Sequence, residues 1–200
     1  MKTRTAGLIL SLAVLFAAPS PATAASAASP KVYLLRGFMN VFSLGLDEIA
    51  ARIDKIGVRA EVYNHTSWSR LAGQITAEYN SGKTRPVILV GHSWGGLDVV
   101  NLVEALGKNG VPVALAVTLD TTSATIEGGQ VGTFLNLYAS TGVLKAGSAF
   151  RGKLINQDLA RTMDVGHFNI DKLEPVHAII MRHIATAVGR RKPATAAPKS

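Results

Sequence analysis

The chain has 200 residues, of which 48% are hydrophobic and 17% charged, a composition that fits a globular protein and excludes an intrinsically disordered one. It contains no cysteine, so disulfides and cysteine-ligated metals are excluded. The formal charge of +8 falls to +2 outside the terminal segments, because six cations lie there: Lys2, Arg4, Arg190, Arg191, Lys192 and Lys199. We therefore expect no nucleic-acid partner.

The first residues have the layout of a secretory signal peptide. Lys2 and Arg4 precede an apolar run at residues 6–18, and the small residues Ala22-Thr23-Ala24 follow. This run is shorter than the roughly 20 residues that span a bilayer, although an uncleaved anchor is the alternative interpretation. We predict a signal peptide at 1–24 and a bacterial periplasmic or secreted protein.

Two further segments flank the predicted domain, which covers residues 31–188. Residues 25–30 are predicted to be a flexible lead. Residues 189–200 form a basic tail without acidic residues, and we expect it to be disordered and solvated. It could make weak contact with an anionic surface.

The first half of the domain alternates between strand and helix patterns. Apolar runs predict strands at 32–35, 87–90 and 111–119, and a further strand is predicted at 59–63. Three- and four-residue spacing predicts a helix from Leu46 that Gly57 closes, a helix at 68–79, and a helix from Leu97 that ends at Gly107 or Gly110. The run at 87–90 is apolar at every position, and the run at 111–119 is apolar at every position except Thr118. Strands of that kind are typical of a central parallel sheet that helices cover on both faces.

After Asp120 the alternation of strand and helix patterns is weaker. Residues 121–132 are interpreted as a polar, glycine-bearing loop, and two further strands are predicted at 133–139 and 153–156. Pro175 suits the first turn of a last helix that continues to about Val188. The whole order predicts an α/β fold: three layers around a doubly wound, mostly parallel sheet of about six strands.

The stretch LVGHSWGG, residues 89–96, lies where a buried strand meets a helix. A sharp turn there would crowd the backbone, so Gly91 and Gly95 stand where side chains would clash, and the turn would present the hydroxyl of Ser93. This is the G-x-S-x-G pattern of a nucleophile elbow in its required strand–helix context. The alternative interpretation is a glycine-rich turn whose serine has no catalytic role.

With this motif, residues 31–188 resemble the α/β-hydrolase superfamily. The resemblance implies a catalytic triad in the chain order serine, acid, histidine. Asp120 directly follows a strand and is the first candidate for the acid, with Asp158 and Asp164 as rivals. His167, in a loop between the last strand and the last helix, matches the place of the base.

The resemblance also implies an oxyanion hole. One donor would be the backbone N–H of Trp94 and the other that of Phe38, with Met39 next. Met39 and Phe42 are candidates for an apolar substrate-binding wall, and simple core packing is the alternative for each. The resemblance requires no metal or organic cofactor.

The chain departs from the superfamily in being small. It lacks the antiparallel strands that usually precede the first parallel strand, and only residues 121–132 and 140–151 could cover the site. We expect an exported serine hydrolase acting on a small-molecule ester or a lipid. The alternatives are a thioesterase or acyltransferase, and a non-catalytic lipid-binding protein on the same fold.

Overall fold

A computed structural model describes residues 28–38, 43–140 and 142–189. Six strands form one sheet in the order β2-β1-β3-β4-β5-β6, and every neighbouring pair is parallel. The strands are Ser29–Leu35 (β1), Arg59–Tyr63 (β2), Thr84–His92 (β3), Val113–Leu119 (β4), Ala124–Tyr138 (β5) and Leu144–Asp158 (β6). This confirms the predicted α/β class and the number of strands.

Helices cover both faces of the sheet. They are Gly45–Lys55 (α1), Trp68–Asn80 (α2), Trp94–Lys108 (α3) and Glu174–Ala187 (α4). Apolar side chains of α1 and α4 pack on one face, and those of α2 and α3 pack on the other. Because the central parts of β3 and β4 are buried between these two layers, both of their faces must be apolar there, as residues 87–90 and 113–117 are.

The first strand begins earlier than predicted. Ser29 pairs with Thr84 at the start of β3, and the Ser29 N–H donates to the Lys83 carbonyl at 3.3 Å. The prediction of a flexible lead through Pro30 is therefore wrong for its last two residues. Pairing with the start of β3 orders these two residues. Their small side chains give no indication of that pairing in the sequence.

The predicted loop at 121–132 and the segment at 140–151, which were the two candidates for covering the site, consist mostly of strand. The first part of β5 runs along α3, where the Glu127 N–H donates to Glu104 Oε1 at 2.8 Å. Its second part returns beside β4, where Val131 pairs with Val113. The long strand β6 accompanies β5 through both parts.

Glycines mark the bends of these two strands. Gly129 of β5 has φ 107°, and Gly152 of β6 has φ 148°, both in the region that disfavours side chains. A Cβ atom at Gly152 would lie 1.8 Å from the Val131 carbonyl oxygen. The bent ribbon packs its apolar side chains toward α3, so the expectation that these segments cover the site is wrong.

The carboxyl ends of the parallel strands meet at one edge of the sheet, where β1, β3 and β4 each lead into a loop. This edge carries Ser93 and Asp120. Within the described part of the chain, no helix is long and apolar enough to cross a membrane.

Candidate active site

Ser93 occupies a sharp turn between β3 and α3. Its backbone has φ 57° and ψ −122°, an unusual conformation for a residue with a side chain. Strained conformations of this kind cost on the order of 1–3 kcal/mol and cluster at functional sites. The Ser93 N–H donates to the carbonyl of Leu119 at 2.9 Å, which ties the turn to the end of β4.

The neighbouring glycines are required because the backbone is crowded. A Cβ atom at Gly91 would lie 2.2 Å from the carbonyl oxygen of Gly95, and one at Gly95 would lie 2.2 Å from that of Leu35. A Cβ atom at Gly37 would approach the Ser93 Cβ to 2.9 Å. The turn after β1 therefore lies directly against the serine.

Asp120 directly follows β4, and its side chain is fully buried. Its Oδ2 lies 2.8 Å from His167 Nδ1. Its Oδ1 accepts hydrogen bonds from the N–H groups of Ala139 and Ser140, at 2.8 and 3.0 Å, and from the Ser140 hydroxyl at 3.0 Å. Burial by itself would raise the pKa of Asp120, but these donors and His167 outweigh it and lower the pKa, so the carboxylate stays charged.

His167 is presented by a turn before α4. The Gly166 N–H donates to Asn169 Oδ1 at 2.7 Å, and the Asn169 N–H donates to the Gly166 carbonyl at 3.2 Å. With Nδ1 engaged by Asp120, the ring nitrogen left to face a substrate is Nε2. Among the described residues, no hydrogen bond joins the Ser93 hydroxyl to this ring. Such bonds are often long in enzymes without substrate.

The rival acids lie elsewhere. Asp158 Oδ1 accepts a hydrogen bond from the Ala160 N–H at 3.1 Å, which stabilises the turn after β6. Asp164 is exposed. The structure thus brings Asp120 to His167 and leaves the other two apart from it.

Ser93 and His167 line one small cavity of about 250 Å³. The remaining lining residues are Gly37, Phe38, Ser43, His92, Trp94 and Phe168. The rings of Phe38 and Trp94 lie 4.8 Å apart and are about half exposed, at 52% and 49%. Trp94 is the first residue of α3, so its N–H belongs to the free end of a helix. Met39 and Phe42 lie outside the described residues.

A larger cavity of about 790 Å³ opens at the opposite edge of the sheet. Arg85 and Arg151 are its charged lining residues, and its described lining contains no serine, histidine or carboxylate. The Arg85 guanidinium stacks on the Tyr79 ring at 4.1 Å. Size therefore does not identify the site, and the smaller cavity contains the groups that could do chemistry.

Sequence reasoning missed a second carboxylate near Ser93. Asp98 lies in the second turn of α3 and is 8% exposed, and its Oδ2 is 3.9 Å from His65 Nδ1. Burial raises the pKa of Asp98 to about 6. An acidic residue amid the apolar run after the elbow was the available signal. The ring of His65 also contacts that of Trp94, with centroids 5.5 Å apart.

One cluster has the residue types of a metal site. The potential ligand atoms of Glu48, Glu174 and His177 lie within 4.8 Å of one another. Arg52, however, forms salt bridges to both glutamates, each at 2.6 Å. The guanidinium already pairs with both carboxylates, so we assign an ion-pair network that connects α1 to α4.

No protein-family model matches the chain, and a comparison with curated proteins finds no match. Among solved structures, it is similar to a provisionally assigned hydrolase of the alpha/beta superfamily from Xanthomonas campestris pv. campestris. The identity is 15% and the TM-score 0.47, over 80% of this chain and 98% of that one. It is also similar to BorB, a type II thioesterase from the borrelidin biosynthetic cluster, at 11% identity and TM-score 0.44, over 80% and 96% of the two chains.

These likenesses are too distant to bear on chemistry. The fold of the chain follows from its own features, which are the parallel sheet order, the helices on both faces and the strained strand–turn–helix at Ser93. Together they define an α/β-hydrolase-like fold.

Proposed function

We propose that this protein is a serine hydrolase that cleaves small carboxylic esters. The observation that carries the proposal is the hydrogen bond of 2.8 Å between His167 and the charged, buried Asp120, in the cavity that Ser93 also lines. A serine hydroxyl is a weak nucleophile unless a base stands beside it and an acid orients that base. All three groups lie at one edge of the sheet.

In the proposed reaction, Ser93 Oγ attacks the acyl carbon of the ester while His167 Nε2 takes the hydroxyl proton. The resulting imidazolium is stabilised by Asp120 at Nδ1. The tetrahedral intermediate collapses as the C–O bond to the alcohol breaks, and His167 returns the proton to the departing alkoxide. Water, deprotonated by His167, then cleaves the acyl-enzyme, releasing a carboxylic acid and free Ser93.

The negative oxygen of the intermediate needs N–H donors. The N-terminal position of Trp94 in α3 supports its N–H as one proposed donor, because the helix dipole favours negative charge there. The Phe38 N–H is the second proposed donor, and it follows Gly37, which approaches Ser93 closely.

The size of the cavity supports a small acyl group. Its volume of about 250 Å³ is below the roughly 300–1,000 Å³ of sites for drug-sized ligands. The half-exposed rings of Phe38 and Trp94 form apolar walls at its mouth. We therefore favour short acyl chains over long-chain lipids.

A panel of p-nitrophenyl esters of increasing chain length tests the proposal. We expect kcat/KM to be highest for chains of about two to six carbons, which the cavity of about 250 Å³ can hold. Ser93→Ala should abolish the activity, whereas Ser148→Ala, at an exposed serine of β6, should retain it. Absence of hydrolysis across the panel by folded protein would refute the proposal.

We further propose that the protein is exported, on the basis of the signal-like residues 1–24. N-terminal sequencing of the protein expressed in a bacterial host should find a mature chain that begins at or just after Ala25. An intact N-terminus in the cytoplasmic fraction would refute export.

A further inference from the structure

A buried chain of hydrogen bonds joins three segments around the candidate site. The Gly37 N–H donates to Ser43 Oγ at 3.0 Å, and Ser43 Oγ lies 2.8 Å from His92 Nδ1. On the other side of the imidazole, His92 Nε2 lies 3.0 Å from the carbonyl oxygen of His167. Ser43 and His92 are each 1% exposed, so water does not compete for these bonds.

The partners fix the tautomer of the His92 ring. A carbonyl oxygen can only accept a hydrogen bond, so Nε2 carries the proton and donates to His167. Nδ1 then has a free lone pair and accepts from the Ser43 hydroxyl, whose oxygen accepts from the Gly37 N–H. Burial lowers the pKa of His92, which favours the neutral ring that this arrangement requires.

Each attachment point lies next to a group of the proposed mechanism. Gly37 precedes Phe38, the proposed oxyanion donor, and His92 itself precedes Ser93. The carbonyl that His92 binds is the backbone of His167. The loop of the proposed base is therefore held at its backbone by His92, while Asp120 holds its ring.

We infer that His92, as its neutral Nε2–H tautomer, is a positioning residue. It holds the Gly37 turn and the His167 loop in fixed positions relative to Ser93. The inference rests on the proposed function of Ser93. Both nitrogens of His92 are engaged by protein partners, so it acts through its neighbours and takes no proton from the substrate. A displacement of about 1 Å among reacting groups can cost about 100-fold in rate.

Two substitutions at this position separate hydrogen bonding from packing. His92→Phe keeps an aromatic ring but leaves the Ser43 hydroxyl and the His167 carbonyl without their partner. His92→Gln keeps an N–H donor that can reach this carbonyl. We expect kcat to fall about 10- to 100-fold in His92→Phe with KM changed less than about threefold, because alignment acts in the transition state. The kcat of His92→Gln should be about tenfold higher than that of His92→Phe.

His177→Gln is the matched control. His177 is also fully buried, and its Nε2 donates to the Asp171 carbonyl at 2.6 Å in the same segment as His167, but it does not line the cavity. We expect this variant to keep the wild-type kcat per folded molecule. Wild-type kcat in folded His92→Phe, or no recovery in His92→Gln, would overturn the inference.

Ser43→Ala provides a smaller change if His92→Phe does not fold. It removes one hydroxyl and leaves the Gly37 N–H and His92 Nδ1 unpaired, so kcat should fall about tenfold. Unchanged kcat in folded Ser43→Ala would count against the inference in the same way.

The tautomer can be measured without catalysis. ¹⁵N NMR of the histidine rings, with His92 assigned by its loss in His92→Gln, should show protonated Nε2 and bare Nδ1 at neutral pH. The opposite tautomer, or a charged ring, would overturn the inference. If the expected tautomer is found but wild type neither hydrolyses esters nor reacts with a serine-directed probe, the proposed function fails. The positioning role then fails with it, although the hydrogen-bond chain remains.

Discussion

Two aspartates lie near the Ser93 turn, Asp120 after β4 and Asp98 in α3, and each has a histidine beside it. The carboxylate of Asp120 accepts hydrogen bonds on both oxygens, including one of 2.8 Å with His167. Asp98 is also buried, but its Oδ2 has no hydrogen-bond partner among the described residues, and His65 lies 3.9 Å away. The pKa is lowered at Asp120, whereas burial raises it to about 6 at Asp98.

The difference teaches that a nearby histidine does not by itself keep a buried carboxylate charged. At Asp120 the additional donors are the N–H groups of Ala139 and Ser140, which follow β5. They reach Asp120 because β5 turns back at Gly129 and ends beside β4. The bent strand thus has a direct consequence for the electrostatics of the site.

The largest expected effect is on turnover. Asp120→Asn should lower kcat by about 10³- to 10⁴-fold, because an amide cannot stabilise the imidazolium and favours the wrong tautomer of His167. Asp98→Asn should leave kcat/KM within about threefold of wild type. Measurement of both variants on one short-chain ester tests the contrast, and comparable losses in the two would show that Asp98 shares the catalytic role.

The second expected effect is on stability, and its sign differs between the two residues. Asp98, whose pKa is raised to about 6 in the folded state, binds its proton more tightly there than in the unfolded chain. Its contribution to the free energy of unfolding is therefore largest below pH 4 and is lost as pH rises through 6, by about 2–3 kcal/mol. Asp120, whose pKa is lowered, contributes above its unfolded pKa and loses that contribution as pH falls.

Urea unfolding of wild type and Asp98→Asn at pH 4 and pH 8 measures this effect. The stability of the variant relative to wild type should increase by about 2–3 kcal/mol at the higher pH. Parallel pH dependences in the two proteins would mean that Asp98 is solvated and its pKa ordinary.

The smallest expected effect is on the pH profile. Because hydrogen bonds lower the pKa of Asp120, protonation of this carboxylate should not contribute to the acid limb of kcat/KM near neutral pH. Asp98→Asn should leave this limb in place although Asp98 titrates near pH 6. A shift of the acid limb in Asp98→Asn would show that the Asp98–His65 pair is coupled to the Asp120–His167 pair.

The first half of the domain could be predicted from sequence because its signals are local. Apolar runs predicted β3 and β4, and the glycines on either side of Ser93 predicted a turn too crowded for side chains at those two positions. The order of strands along the sheet edge placed Asp120 near Ser93. Their common edge is a property of parallel strands and needs no side-chain detail.

The later strands and the buried polar contacts could not be predicted in the same way, because they depend on partners that are distant in sequence. Glycines and polar residues at 124–132 indicate a loop, yet pairing with β6 and packing on α3 make this segment a strand. Lys31 is 2% exposed within β1 because Glu61 and Glu78 pair with it, and neither is visible from its neighbours in sequence. The contacts of His92 with Ser43 and His167 span 49 and 75 residues, so no local pattern signals them.

Labelling with a fluorophosphonate probe tests most directly whether Ser93 is an activated nucleophile. We predict strong labelling of wild type, none of Ser93→Ala, and greatly slowed labelling of His167→Ala, with circular dichroism to verify that each variant is folded. Labelling that survives Ser93→Ala, or a folded wild type that does not react, would contradict the account.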